Sequence, residues 1–167
     1  MLFQVNGESV QRLATEADVA EIYQLRRLLE PAAFADAVAH ATGKGVGDMR
    51  AAMNAQRAAH AEGDVEAFAA GNGRFRQAWL AMVPNRRLVA AVALYGDHVQ
   101  ILRVRLRVKS VRKIVLDGLA RLVKAAEARD VSAAQAAMAS HVAGAEVEAR
   151  ILAREHADGA APMAEVA

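Results

Sequence analysis

The chain has 167 residues, of which 54% are hydrophobic, 24% charged and 4% aromatic, with no cysteine and a formal net charge of +2. That length supports one domain with its own core, and the lack of cysteine excludes disulfides, thiolate metal sites and cysteine nucleophiles. With 21 Lys plus Arg against 19 Asp plus Glu, the charge balance does not by itself point to nucleic acid, so any basic patch has to be argued locally.

Alanine supplies 41 residues, while the β-branched and aromatic residues that favour strands are sparse, so a mostly helical chain is predicted. No apolar run approaches the roughly 20 residues that span a bilayer, and the opening MLFQVNGESV lacks a basic region followed by an apolar stretch. A cytoplasmic protein is the expectation.

In chain order, Phe3 to Val10 alternates apolar and polar residues around Asn6-Gly7, which is a hairpin signal. An isolated hairpin is marginal in water, so residues 1–14 read as an arm or linker remnant. From Thr15, an N-cap with Asp18 three residues on, Val19, Ile22, Tyr23, Leu25, Leu28 and Leu29 recur at helical spacing. This first helix is expected to run to about His40, kinked or divided at Pro31. Gly43 to Gly47 reads as a loop, followed by a second helix from Val46 to Ala61 that stops at Gly63.

Asp64 should cap a third helix carrying Phe68, Phe75, Trp79 and Met82, with Gly71 and Gly73 inside it. After Pro84-Asn85, the residues Leu88, Val92, Tyr95, Val99, Leu102 and Leu106 alternate spacings of three and four, as in a bundle seam. The stretch from Leu102 to Val108 also alternates with period two, as a strand would, but continuity with the seam favours helix. Ser110 is the expected cap of a fifth helix ending near Arg129-Asp130. A sixth, from about Val131, places Met138, Val142, Ala145, Ala149 and Leu152 on one stripe, and residues 158–167 read as a flexible tail. Six amphipathic helices with short connections imply an all-α antiparallel bundle over residues 15–157.

Several residues could carry chemistry. Arg26 lies between Ile22 and Leu29 on the apolar side of the first helix. It either pairs with Glu30 one turn on or meets an anionic ligand, for which the planar guanidinium is well shaped. Arg103, Arg105, Arg107, Lys109, Arg112 and Lys113 form the strongest charge cluster. They read as a solvated face or as a source of one inward arginine, and no interleaved aromatics support nucleic-acid binding. The histidines at 40, 60, 98, 141 and 156 form no paired ligand motif, and no nucleophile elbow or phosphate loop is present.

Asp18 to Pro31, with Glu21, Tyr23, Leu25, Arg26, Leu29 and Glu30, resembles the opening helix of the FCD domain, the ligand-binding half of GntR-type repressors of the FadR subfamily. Gly63-Asp64 to Phe68, Asn72 to Arg76, Pro84 to Leu88, Glu127 to Ala134 and Met138 to His141 are similar to further blocks of that family in the same order. The resemblance covers roughly residues 15 to 153. It implies a helical bundle around a pocket for a small effector, often a carboxylate, acting as a ligand-gated homodimer. DNA would be reached only through a winged helix-turn-helix missing from these residues, and the opening LFQVNGESVQRL looks like the end of a wing and its linker.

Many members of that family hold a divalent metal with an Asp and a His four residues apart, a His on the next-to-last helix and a His on the last. The surrounding blocks lay these positions on Asn72, Arg76, Leu119 and His141. Arginine cannot coordinate, leucine has no lone pair and asparagine is a poor ligand for a transition metal, so neither metal nor other cofactor is expected. In its place, Arg76 would supply positive charge to an anionic effector, with Arg26, Asn72 and His141 completing a polar patch in an apolar pocket. The opposing expectation is a decayed site, with Arg76 turned to solvent and Leu119 filling the hole. Beyond an effector-binding domain, two readings stay open: a free-standing bundle that binds or transforms a small molecule, with His141 and Arg76 as acid/base and oxyanion groups, and a structural interaction module.

Overall fold

The local signals for helix starts translate directly into structure. The computed structural model describes residues 15–96 and 105–159. Among them are six helices and no strand: α1 Glu16–Ala39, α2 Gly43–Glu62, α3 Val65–Leu80, α4 Arg86–Gly96, α5 Lys109–Ala128 and α6 Val131–Gly159. Thr15 caps α1 in a reciprocal capping box with Asp18, Asp64 accepts from Ala67 N at 2.8 Å, and Asp130 accepts from Ala133 N at 2.9 Å. Each satisfies an amide that the helix itself leaves without a partner. Gly63 ends α2 at φ 76°, a left-handed conformation that glycine adopts without a Cβ penalty.

The result is an all-α bundle. α1 packs chiefly on α6, α2 on α3 and α5 on α6, with further contacts from α2 to α5 and α1 to α4. Phe34 of α1 meets Trp79 of α3 edge to face, with centroids 5.6 Å apart and planes at 84°, the arrangement favoured by the ring quadrupoles. Val19, Val38, Met49, Leu122, Met138 and Val142 extend that core. The stripe expected on the last helix is buried at Met138, Val142, Ala149 and Leu152, and Ala145 packs against the core from its edge.

Four expectations need correction. The glycine-rich stretch from Gly43 to Gly47 is the first turn of α2, not a loop: Thr42 caps it by accepting from Gly45 N at 3.0 Å. Gly45 is buried so close to Met82 that a Cβ there would collide with the thioether, so glycine serves packing at this point. Of the two outcomes expected at Pro31, a kink or a division, the division does not occur, and α1 runs unbroken through the proline. Its buried flanks, Arg26 and Glu30 on one side and Ala33, Phe34, Ala37 and Val38 on the other, hold the helix through the missing amide.

Ser110 is not a cap, since α5 begins after Val108 with no side-chain cap bond. Instead, Arg112 reaches back and donates from Nη1 to the carbonyls of Leu106 at 2.6 Å and Arg107 at 3.1 Å. α6 continues through Gly159, two residues into the stretch read as a tail. The hairpin, the middle of the Leu88 to Leu106 seam at residues 97–104 and the segment 160–167 lie outside the described residues.

Candidate functional site

α1, α3, α4, α5 and α6 surround a cavity of about 400 Å³, and α2 takes no part in its wall. That volume suits a small organic ligand. Arg26, Asn72, Arg76 and His141 all line it, and Leu119 does too. Four residues drawn from three helices, separated by up to 115 positions in the chain, therefore converge on one space. The apolar part of the wall includes Phe75, Trp79, Leu122 and Met138.

Glu30, not a cation, is the centre of the polar end. Its side chain is 3% exposed. Arg26 donates from Nε to Oε1 at 2.7 Å and from Nη2 to Oε2 at 3.3 Å. Arg76, arriving from α3, donates to the same Oε1 from both Nη1 and Nη2 at 3.3 Å. One carboxylate thus serves two guanidiniums. Burial pushes the Glu30 carboxyl towards the neutral form, but the two cations outweigh it and hold its pKa below the ordinary range. Glu30 is therefore ionised, and the cluster carries one positive charge in excess.

The two arginines are placed by more than Glu30. Arg26 stacks its guanidinium over Tyr23, with Cζ 4.7 Å from the ring centroid, and Arg76 lies 5.9 Å from that of Trp79. Arg76 also donates from Nη2 to the Val92 carbonyl of α4 at 3.0 Å. Arg76 is therefore directed inward, against the expectation of a decayed site in which it swings to solvent. Arg26 Nη1 is buried with no hydrogen-bond partner. A buried guanidinium N–H without an acceptor is costly, and this one sits in a residue that lines the cavity.

His141 enters the cavity opposite Gly118. A Cβ at position 118 would lie 2.5 Å from His141 Nδ1, so only glycine there leaves the imidazole its place. Burial, reinforced by Arg26 and opposed by Glu30, pulls the His141 pKa from 6.5 down to about 4. The ring is therefore uncharged at neutral pH, able to donate from one nitrogen and accept at the other. Asn72 stands half-buried on the α3 wall.

The donor set does not fit a divalent metal. Leu119 is a buried core residue, Arg76 is a cation engaged with Glu30, and His141 is left as the one imidazole among the four positions that the resemblance assigned. Among the described residues, no three His, Cys, Asp or Glu side chains are gathered so that they could hold a metal ion.

The arginine cluster near residue 105 divides among several roles. Arg105 pairs with Glu148 at 2.8 Å and Glu155 at 3.3 Å on α6, and Lys113 pairs with Asp117 at 2.7 Å. Arg112 is the inward arginine, but it meets backbone carbonyls and not the cavity. Arg103 and His98 lie outside the described residues. Sequence reasoning missed three wall residues: Glu30 as a shared acceptor, Gly118 as the gap for His141, and Arg121 at the exposed side. Gly118 had a signal, a helix-weakening residue in the middle of a strongly amphipathic segment.

An all-helical domain closed around a polar-ended apolar cavity is a ligand-binding architecture, and the sequence assigns it further. The family model described as FCD domain matches residues 21–144, and the chain belongs to that family, the FCD domains of GntR-type regulators. No curated protein matches the chain. No described helix is long and apolar enough to cross a membrane.

Proposed function

We propose that this domain is the effector-binding half of a GntR-type transcription regulator of the FadR subfamily, and that it binds a small anionic organic molecule without a metal. The observation that carries the reading is the Arg26, Glu30 and Arg76 cluster at one end of the cavity, with its excess positive charge and the unpartnered Arg26 Nη1. An incoming carboxylate supplies the missing acceptor, and its charge neutralises a cation that would otherwise stay uncompensated in a poorly solvated space. Asn72 and His141 add uncharged hydrogen-bonding groups along the same wall, and the aromatic and aliphatic residues receive the rest of the molecule. In this reading the domain works as a cytoplasmic homodimer, and DNA is met by a winged helix-turn-helix segment and not by the bundle.

The test is titration calorimetry of metal-stripped protein with straight-chain carboxylates of four to eight carbons. Binding that survives chelator and weakens by about tenfold or more in Arg76→Ala is the expected result, since a charged hydrogen bond of this kind is worth roughly 1.5–3 kcal/mol. Equal affinity in wild type and Arg76→Ala would overturn the assignment of the site.

A further inference from the structure

Resting on the effector-binding reading above, we infer that the cavity selects monoanions over dianions, and that Glu30 is the residue that sets this preference. The ligand class that follows is an organic acid with a single carboxylate and an otherwise apolar body.

The argument is one of charge and location. In the buried part of the wall, the cations of Arg26 and Arg76 face the single anion of Glu30, so one positive charge is left over. The other charged residues of the wall do not change that number in the interior. Glu148 is paired with Arg105 at 2.8 Å, and Arg121, although its charge reaches His141, stands at the exposed side of the wall where water screens it more than the buried pair. One ligand carboxylate completes the cluster, with Arg26 Nη1 as the donor that still has no acceptor. A second carboxylate on the same ligand would extend along a wall whose apolar part is Phe75, Leu122 and Met138 and whose remaining donors, the Trp79 indole N–H, Asn72 and His141, are uncharged, so it would find no second buried cation left over. Neutral donors alone offset the burial of a second anion less well than a cation does.

Glu30 acts here as an internal anion. It occupies Arg26 through two donor atoms and Arg76 through two more, which is the way a ligand carboxylate would engage a guanidinium pair. Were Glu30 uncharged, the same two arginines would present two positive charges, and a second ligand carboxylate would have a cation to meet. Specificity of this kind comes from a repulsive element built into the site.

The experiment compares straight-chain monocarboxylates of four to eight carbons with the dicarboxylates of equal length by titration calorimetry, at pH 7.5 and fixed ionic strength, on wild type and Glu30→Gln. In wild type the monoacid is expected to bind about tenfold tighter or more than its matched diacid. In Glu30→Gln that ratio is expected to fall to parity or invert, because the interior charge rises by one. If Glu30→Gln lacks helical circular dichroism, the wild-type ratio decides alone. A dicarboxylate that binds as tightly as its matched monoacid, or tighter, overturns monoanion selection and leaves the effector-binding reading in place. Absence of binding by both series overturns that reading and this inference together.

Discussion

Arg26→Met isolates the energetic role of the cluster. Methionine keeps an unbranched apolar stem where the arginine stem packs near Tyr23, so the chief loss is the guanidinium. Glu30 then forfeits its contacts at 2.7 and 3.3 Å and retains only Arg76 at 3.3 Å. Removing one partner of a buried ion pair costs about 3–5 kcal/mol. Two effects reduce this: the remaining arginine still faces the carboxylate, and the unsatisfied Nη1 group, itself unfavourable by about 1–3 kcal/mol, disappears. The expected net loss is roughly 3 kcal/mol, equivalent to about 6–12 °C in melting temperature for a domain of this size. Urea unfolding at pH 7.5 measures it. The double variant Arg26→Met with Glu30→Leu should cost less than Arg26→Met alone, because no buried carboxylate is then left short of a cation. The loss in Arg26→Met should also shrink as pH falls and Glu30 takes up a proton. A loss below about 1 kcal/mol, or a double variant that equals the sum of the two single ones, would refute the claim that the pair is desolvated and coupled.

Three further outcomes follow from the same geometry. The imidazole of His141 titrates near 6.5 when unfolded and at about 4 when folded, so the unfolded chain binds the extra proton and stability drops as pH falls through that window. The contribution is up to roughly 3 kcal/mol, and denaturation midpoints between pH 7.5 and 4 should decline more steeply in wild type than in His141→Gln. Gly63→Ala should destabilise by about 1 kcal/mol, since φ 76° strains any residue with a Cβ, whereas Gly63→Asn should recover part of that by thermal melting. The combined substitutions Asn72→Asp, Arg76→His and Leu119→His, added to the native His141, should create a zinc or nickel site detectable by calorimetry. Failure to bind either metal in a folded triple variant would mean that these four positions are not superposable on the family's ligands.

Much of the bundle was legible because it is encoded locally. The caps at Thr15 and Asp64, the stop at Gly63 and the apolar spacing of α1 and α6 are all statements about residues within one or two turns of each other. The errors fell where packing overrules local preference. Glycines at 43, 45 and 47 ordinarily weaken a helix, but Gly45 leaves the space that the Met82 thioether fills. Pro31 ordinarily breaks one, but its turn is buried on both sides. The site was legible in part for the same reason. The pairing of Arg26 with Glu30 follows from an i,i+4 spacing, whereas Arg76 joins them from 46 residues away, and no periodicity announces such a contact. Arg112 shows the limit most plainly: among the five described cations of that cluster, only the fold reveals which one is buried against carbonyls.

The contact between Gly118 and His141 turns two positions on different helices into a single choice. A side chain at 118 forces the histidine at 141 to move out of its place or to give way to a smaller residue, because the Cβ alone would stand 2.5 Å from the ring nitrogen. Exchange at the two positions therefore has a permitted order. A chain that first shortens residue 141 passes through a loosely filled but foldable intermediate, while one that first enlarges residue 118 meets a collision before relief arrives. Sequences that diverge from this one should then show the histidine lost ahead of the glycine, and a surviving histidine should mark a surviving glycine.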